Sequence, residues 1–76
     1  MKKTINIKID GMMCIHCQGH VEEAFKEIKE IKKAKVDFKT GLAQVVVDTN
    51  NLDGVKNIIE NAIKELGYKV IEFEEK

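Results

Sequence analysis

Residues 4–17 have the sequence TINIKIDGMMCIHC, in which an alternating segment leads into a loop with two cysteines. The first half alternates polar residues with three isoleucines, Ile5, Ile7 and Ile9. A period of two with β-branched residues predicts a strand over residues 4–10 with one buried face. The glycine that follows ends the alternation, so the cysteines come directly after the end of a strand.

A helical pattern begins at the second cysteine. Apolar residues follow the spacing of one helix face at Cys17, Val21, Ala24, Phe25 and Ile28. We therefore predict a loop from Gly11 to about His16 and then a helix whose apolar stripe starts with Cys17 at the rim of the core. Unpaired N–H groups and partial positive charge at a helix N-terminus favour thiolate over thiol. This placement suits either a shared soft ion or a disulfide between Cys14 and Cys17.

Alternation resumes at Lys33 and predicts a β-hairpin. The first segment has Ala34, Val36 and Phe38 on one face, and the second has Ala43, Val45 and Val47. The short connection Lys39-Thr40-Gly41 between the two alternating segments predicts a turn.

A second helical pattern follows, and Asn51 or Asp53 is its candidate N-cap. Its apolar positions are Val55, Ile58, Ile59, Ala62, Ile63 and Leu66. Gly67 lies where helices commonly end in a left-handed residue. The segment from Tyr68 to Phe73 then predicts a short final strand.

The order strand, helix, strand, strand, helix, strand predicts an α+β fold. We expect a ferredoxin-like βαββαβ sandwich, in which two helices cover one face of a four-stranded antiparallel sheet. A chain of 76 residues can form one small domain, here 1–76, that buries about 60% of its unfolded surface.

Composition excludes several classes of function. The 13 basic and 13 acidic side chains cancel, and there are only three Phe, one Tyr and no Trp, so we expect no nucleic-acid binding. The longest apolar run, residues 45–47, is far shorter than the ~20 residues of a membrane span, so we expect no membrane insertion. We expect a cytoplasmic protein, where closely spaced cysteines favour a metal site or a redox pair over a structural disulfide.

Gly11, Met12, Cys14 and Cys17 together resemble the signature of the heavy-metal-associated domain family. The resemblance extends over essentially the whole chain and includes Gly67-Tyr68. It departs from the family only where Glu30-Ile31-Lys32 replaces a common Gly-Val pair. The resemblance implies that the thiolates of Cys14 and Cys17 bind one Cu(I), that Met12 packs inward, and that Tyr68 lies beside the metal loop.

Three further side chains near the cysteines are candidates for weaker roles. His16 precedes the second cysteine, as in bacterial copper chaperones of this family, and His20 lies one helical turn further on. Either imidazole is a candidate auxiliary ligand, as is Tyr68, although each also suits a purely structural or solvent-facing position. Met13 is expected to face solvent.

Soft thiolates bind Cu(I), zinc and similar ions, so softness alone does not identify the metal. Zinc prefers four ligands, and the two cysteines and two histidines within seven residues are too close in sequence to converge on one ion. Family members that handle zinc, cadmium or lead often place an acidic residue just before the first cysteine, where this chain has Met13. Cu(I) is therefore favoured, with zinc or another soft metal as the alternative.

The resemblance implies a non-enzymatic carrier that passes Cu(I) by ligand exchange. Its expected partner is the metal-binding domain of a copper-transporting P-type ATPase or a copper-responsive regulator. We expect a monomer or a metal-bridged dimer, and Met1 favours a free-standing carrier over a transporter module. The alternatives are a module of a zinc, cadmium or mercury system and a thiol-disulfide oxidoreductase. The chain has neither the tryptophan nor the proline found in thioredoxin-like sites.

Overall fold

The structure, a computed structural model, describes residues 2–75. Its elements are β1 (Lys2–Asp10), α1 (Ile15–Lys26), β2 (Ile31–Asp37), β3 (Leu42–Asp48), α2 (Leu52–Glu65) and β4 (Lys69–Glu75). The strands form one antiparallel sheet in the order β2-β3-β1-β4. The predicted ferredoxin-like βαββαβ fold is confirmed.

The core lies between one face of the sheet and the two helices. Alternate residues of the central strands β1 and β3 are buried, and α1 and α2 each add an apolar stripe. The buried side chains are Ile5, Ile7, Ile9, Met12, Val21, Phe25, Ile28, Val36, Ala43, Val45, Val47, Val55, Ile59 and Ile63. Cys17 packs partly buried against this cluster, as its place at the start of the α1 stripe predicts. Neither helix within residues 2–75 is long and apolar enough to cross a membrane.

The ends of α2 follow the sequence signals. The Asn51 side chain caps the helix, since its Oδ1 accepts a hydrogen bond of 3.1 Å from the Gly54 N–H. Gly67 follows the helix with φ of 91°, the left-handed conformation predicted there. Both signals are local, which explains why they can be recognised without the rest of the fold.

The predicted apolar stripe of α2 is too wide. Ile58 is 43% exposed and Leu66 is 37% exposed, whereas Val55, Ile59 and Ile63 are buried. A helix turns by about 100° per residue, so Ile58 lies well to one side of the buried Ile59. The sheet contacts only the narrower row of side chains spaced four residues apart.

The first strand of the hairpin also differs from its prediction. β2 begins at Ile31 instead of Lys33, because a register irregularity between these residues interrupts the alternation. It ends at Asp37, so Phe38 lies in the turn, half-buried against the core. Ala34 is exposed because β2 is an edge strand. The antiparallel β2–β3 hairpin itself is confirmed.

Adjacent isoleucines on α2 give a matched test of this packing. Ile59→Ala removes a fully buried side chain and is expected to lower the free energy of unfolding by about 2–5 kcal/mol. Ile58→Ala, on the exposed flank, is expected to cost less than about 1 kcal/mol. Urea unfolding followed by circular dichroism measures both. Equal losses would contradict the orientation of α2.

Candidate metal centre

The two cysteines lie where β1 passes into α1. The helix begins at Ile15, slightly earlier than predicted, so Cys14 is its N-cap residue and Cys17 lies in its first turn. Both are free, half-buried thiols, and their Sγ atoms are 3.6 Å apart. A metal–thiolate bond is about 2.3 Å long, so both sulfurs can reach one ion placed between them. The donor pair therefore fits a single soft metal ion.

The start of α1 is electrostatically suited to thiolates. Within the part of the chain that the structure describes, the Cys14 side chain makes no capping hydrogen bond, and the first turn contains no acidic residue. The partial positive charge of the helix N-terminus is therefore not neutralised by a carboxylate of its own first turn. A helix N-terminus of this kind favours a thiolate over a thiol.

Tyr68, just before β4, acts directly on the second cysteine. A hydrogen bond from its hydroxyl group is the main cause that lowers the pKa of Cys17 from 9.0 to about 7, with further contributions from the Met13 backbone and the Cys14 side chain. The same hydrogen bond raises the pKa of Tyr68 above its ordinary value. At neutral pH a substantial fraction of Cys17 is thus thiolate, the form of a cysteine that acts as a nucleophile or a metal ligand.

Gly11 allows this tyrosine to approach the loop. Its φ is 110°, and a Cβ atom added there would lie 3.0 Å from Cδ1 of Tyr68. A larger residue would be strained and would also press on the tyrosine ring. The two methionines that follow point in different directions, since Met12 is 8% exposed within the core and Met13 is 85% exposed. Met12 is therefore a packing residue beneath the loop.

The histidines are not assembled with the thiols. His16 and His20 are both exposed. Within residues 2–75, no three or more His, Cys, Asp or Glu side chains form a group that could hold one ion. Cys14 and Cys17 are brought together with Tyr68. The auxiliary ligand roles of His16, His20 and Tyr68 stay predictions.

The sequence does not predict one polar contact beside the cysteines, which joins Gln18 to Phe38. The Oε1 atom of Gln18 accepts a hydrogen bond of 3.0 Å from the backbone N–H of Phe38. This bond joins the first turn of α1 to the turn between β2 and β3. The two residues are 20 positions apart, and a glutamine on a helix surface carries no sequence signal for such a partner.

Comparison with known proteins identifies the family. The sequence profile described as "Heavy-metal-associated domain" matches residues 6–69. The chain belongs to the heavy-metal-associated domain family. The match contains both cysteines, Gln18 and Tyr68, so the whole candidate centre lies within the matched residues.

The names of the relatives of this heavy-metal-associated domain refer to copper in some cases and to mercury in others. The copper chaperone CopZ of Enterococcus hirae is 41% identical over 69 residues, covering 91% of this chain and 94% of the relative. The mercuric reductase of Serratia marcescens is 32% identical over 66 residues, covering 87% of this chain but only 14% of that enzyme. A solved copper-binding domain from HMA7, a P-type ATPase, has a TM-score of 0.78 at 27% identity, covering 95% of this chain and 97% of that one.

Removing the Tyr68 hydroxyl is expected to raise the Cys17 pKa. In Tyr68→Phe the main cause of the lowered pKa is absent, so thiolate formation moves to higher pH. Rates of iodoacetamide alkylation of the metal-free protein, measured from pH 5 to 10 with mass-spectrometric site assignment, report this pKa. Cys17 should reach half-maximal rate near pH 7 in the parent chain and at a higher pH in the variant.

Thr4→Val is the matched control, because it removes a hydroxyl group from the strand far from the loop. Its alkylation profile should match that of the parent chain. An unchanged Cys17 profile in Tyr68→Phe would show that the hydroxyl group does not set the reactivity of this thiol.

Proposed function

We propose that this chain is a Cu(I) carrier that holds the ion between Cys14 and Cys17 and releases it by ligand exchange. The observation that carries this proposal is the 3.6 Å separation of the two free sulfurs at the start of α1. Membership of the heavy-metal-associated domain family supports a role in carrying metal. Similarity to the Enterococcus hirae copper chaperone over almost the whole chain supports copper as the cargo.

The chemistry of the donors favours Cu(I) among the soft ions. Thiolates are soft ligands, and the pair supplies two of them from one side of the ion. Zinc in structural sites takes four ligands in tetrahedral geometry, which this pair supplies only in part. Met13, which precedes the first cysteine, offers a neutral thioether instead of the carboxylate that a harder ion prefers.

The exposed position of the thiols supports transfer by exchange. Cys14 and Cys17 are half-buried, so a thiol from a partner can approach the ion from the solvent side. The incoming thiol loses its proton as its sulfur binds, giving an ion shared by three thiolates. One sulfur of this chain then leaves and takes up a proton, and a second thiol of the partner displaces the other sulfur in the same way. The copper oxidation state does not change, and the ion is never free in solution.

The proposed acceptor is the metal-binding domain of a copper-transporting P-type ATPase. The likeness to the solved copper-binding domain of HMA7 supports this choice, because the two folds superpose over nearly their full lengths. A copper-responsive regulator is the other proposed acceptor. In either case we propose a cytoplasmic, non-enzymatic carrier that docks through surface charges complementary to those of its partner.

Thiol-disulfide exchange is the second candidate function. The close sulfurs and the Cys17 pKa of about 7 also suit a nucleophilic thiol with a resolving partner. The two functions make opposite demands, since a disulfide between the cysteines abolishes Cu(I) binding. Turnover of a disulfide substrate together with feeble Cu(I) binding would favour the redox function.

Anaerobic Cu(I) titration against a competing chelator tests the carrier function. The parent chain should bind one ion per chain. Loss of a group that only orients a metal ligand commonly costs about 10–100-fold in metal affinity. Cys14→Ser and Cys17→Ser each remove a proposed ligand itself, so each should weaken binding by at least about 100-fold. Binding that survives in the Cys14→Ser/Cys17→Ser double variant would contradict the proposal.

Histidine variants provide controls in the same titration. His16→Ala and His20→Ala keep both thiols, so each should change the Cu(I) affinity by less than about tenfold. Tenfold is about the smallest loss expected when a group that orients a metal ligand is removed. A larger loss in one of them would identify that imidazole as a ligand and would show that the loop rearranges around the ion.

A further inference from the structure

The turn between β2 and β3, residues 38–41, contacts the residues on both sides of the segment 10–17, which contains the two cysteines and is called the cysteine loop below. On the strand side, the Ile9 N–H donates a hydrogen bond of 2.8 Å to the Gly41 carbonyl oxygen. On the helix side, the Phe38 N–H donates a hydrogen bond of 3.0 Å to Oε1 of Gln18. One short turn therefore contacts the end of β1 and the start of α1. The residues between these two contacts include both thiols.

Gln18 is the residue that makes the helix side of this contact. Its backbone N–H donates to the Cys14 carbonyl oxygen at 3.1 Å, which closes the first turn of α1 around the two cysteines. Within the described residues, the Cys14 side chain does not cap this turn. An uncapped helix start frays readily because its first N–H groups lack partners. The Gln18 side chain thus fixes this turn through a bond to a distant residue, whereas the Cys14 side chain does not cap it.

Phe38, which donates the hydrogen bond to Gln18, is held in place by packing against the core. Phe38 packs half-buried against the core, so its backbone is anchored by a large apolar side chain. A partly buried N–H without an acceptor is costly, and Gln18 provides the acceptor. The bond therefore connects the first turn of α1, which contains Cys17, to a backbone position that the core packing of Phe38 holds in place.

We propose that Gln18 is a positioning residue that keeps the two sulfurs within reach of one soft ion and thereby slows release of the ion. The proposal rests on the function proposed above. Ordering the first turn of α1 before the ion arrives removes an entropic cost from binding. Changes in such preorganisation act mainly on the rate of dissociation.

Gln18→Ala is expected to accelerate release of Cu(I) to an excess of chelator about fivefold, the factor that corresponds to one neutral hydrogen bond. Gln18→Leu, which keeps the side-chain volume without an acceptor, should behave in the same way. Gln18→Glu keeps an acceptor oxygen at the same reach and should stay within about twofold of the parent chain.

Gln44→Ala is the matched control for a purely structural effect. Gln44 donates a hydrogen bond of 3.1 Å from Nε2 to Oδ1 of Asn6 on the open face of the sheet, away from the loop. This variant also loses a partly buried side-chain bond of a glutamine, and its release rate should match that of the parent chain. Urea unfolding of every variant shows how much stability each lost bond contributes.

A second probe separates this proposal from the carrier function. Phenylarsine oxide bonds to two neighbouring thiols with loss of water and does not depend on copper. Its displacement by an excess of a small dithiol should be about fivefold faster from Gln18→Ala and Gln18→Leu than from the parent chain.

Each outcome decides between the two proposals. Faster release of both probes from the alanine and leucine variants, with Gln18→Glu and Gln44→Ala near the parent rate, supports the positioning role. Arsenical release that is faster from Gln18→Ala and Gln18→Leu than from the parent chain, combined with a parent chain that does not retain Cu(I), would overturn the copper function and leave the positioning role intact. Arsenical release that is unchanged in Gln18→Ala, or that changes equally in Gln44→Ala, would overturn the positioning role.

Discussion

Both thiols occupy one small region because the strand before them and the helix after them are buried in the same core. Ile9 near the end of β1 is 4% exposed, and Val21 in α1 is fully buried. These two side chains fix the segments on either side of the cysteine loop. Met12 adds a third buried contact beneath it. The sulfur–sulfur spacing therefore depends on apolar packing as well as on the loop itself.

The polar surroundings of the thiols serve a different purpose from the packing. The uncapped start of α1 and the Tyr68 hydroxyl both favour negative charge on sulfur. Close approach of Tyr68 depends in turn on Gly11, which has no Cβ atom. A pair of soft, half-exposed sulfurs can bind an ion while leaving one side of it open to solvent. In the proposed exchange, retention and transfer are compatible because the partner would replace a ligand before the ion leaves.

Local patterns in the sequence predict most of the fold. Alternation at Ile5, Ile7 and Ile9 gives the buried face of β1, and a four-residue spacing gives the buried rows of both helices. These patterns work because burial on one face imposes a period of two or of 3.6 residues. They fail for Ile58, because a pattern shows which residues are apolar and not how wide a face the sheet covers.

The site is predictable in part. The cysteine spacing and the flanking Gly11 and Met12 indicate a soft-metal loop, and the structure brings the two sulfurs together with Tyr68. The bond between Gln18 and Phe38 could not be predicted, because it joins residues 20 positions apart through one amide oxygen. The start of β2 differs from its prediction for a similar reason, since its irregular register depends on pairing with β3.

X-ray absorption at the copper edge tests most directly whether the two sulfurs hold the ion. The sample is the parent chain loaded anaerobically with less than one equivalent of Cu(I), at a concentration where sedimentation shows a monomer. The expected spectrum is that of Cu(I) with two sulfur neighbours in its first shell. A first shell made mainly of nitrogen or oxygen atoms would contradict the central role of Cys14 and Cys17.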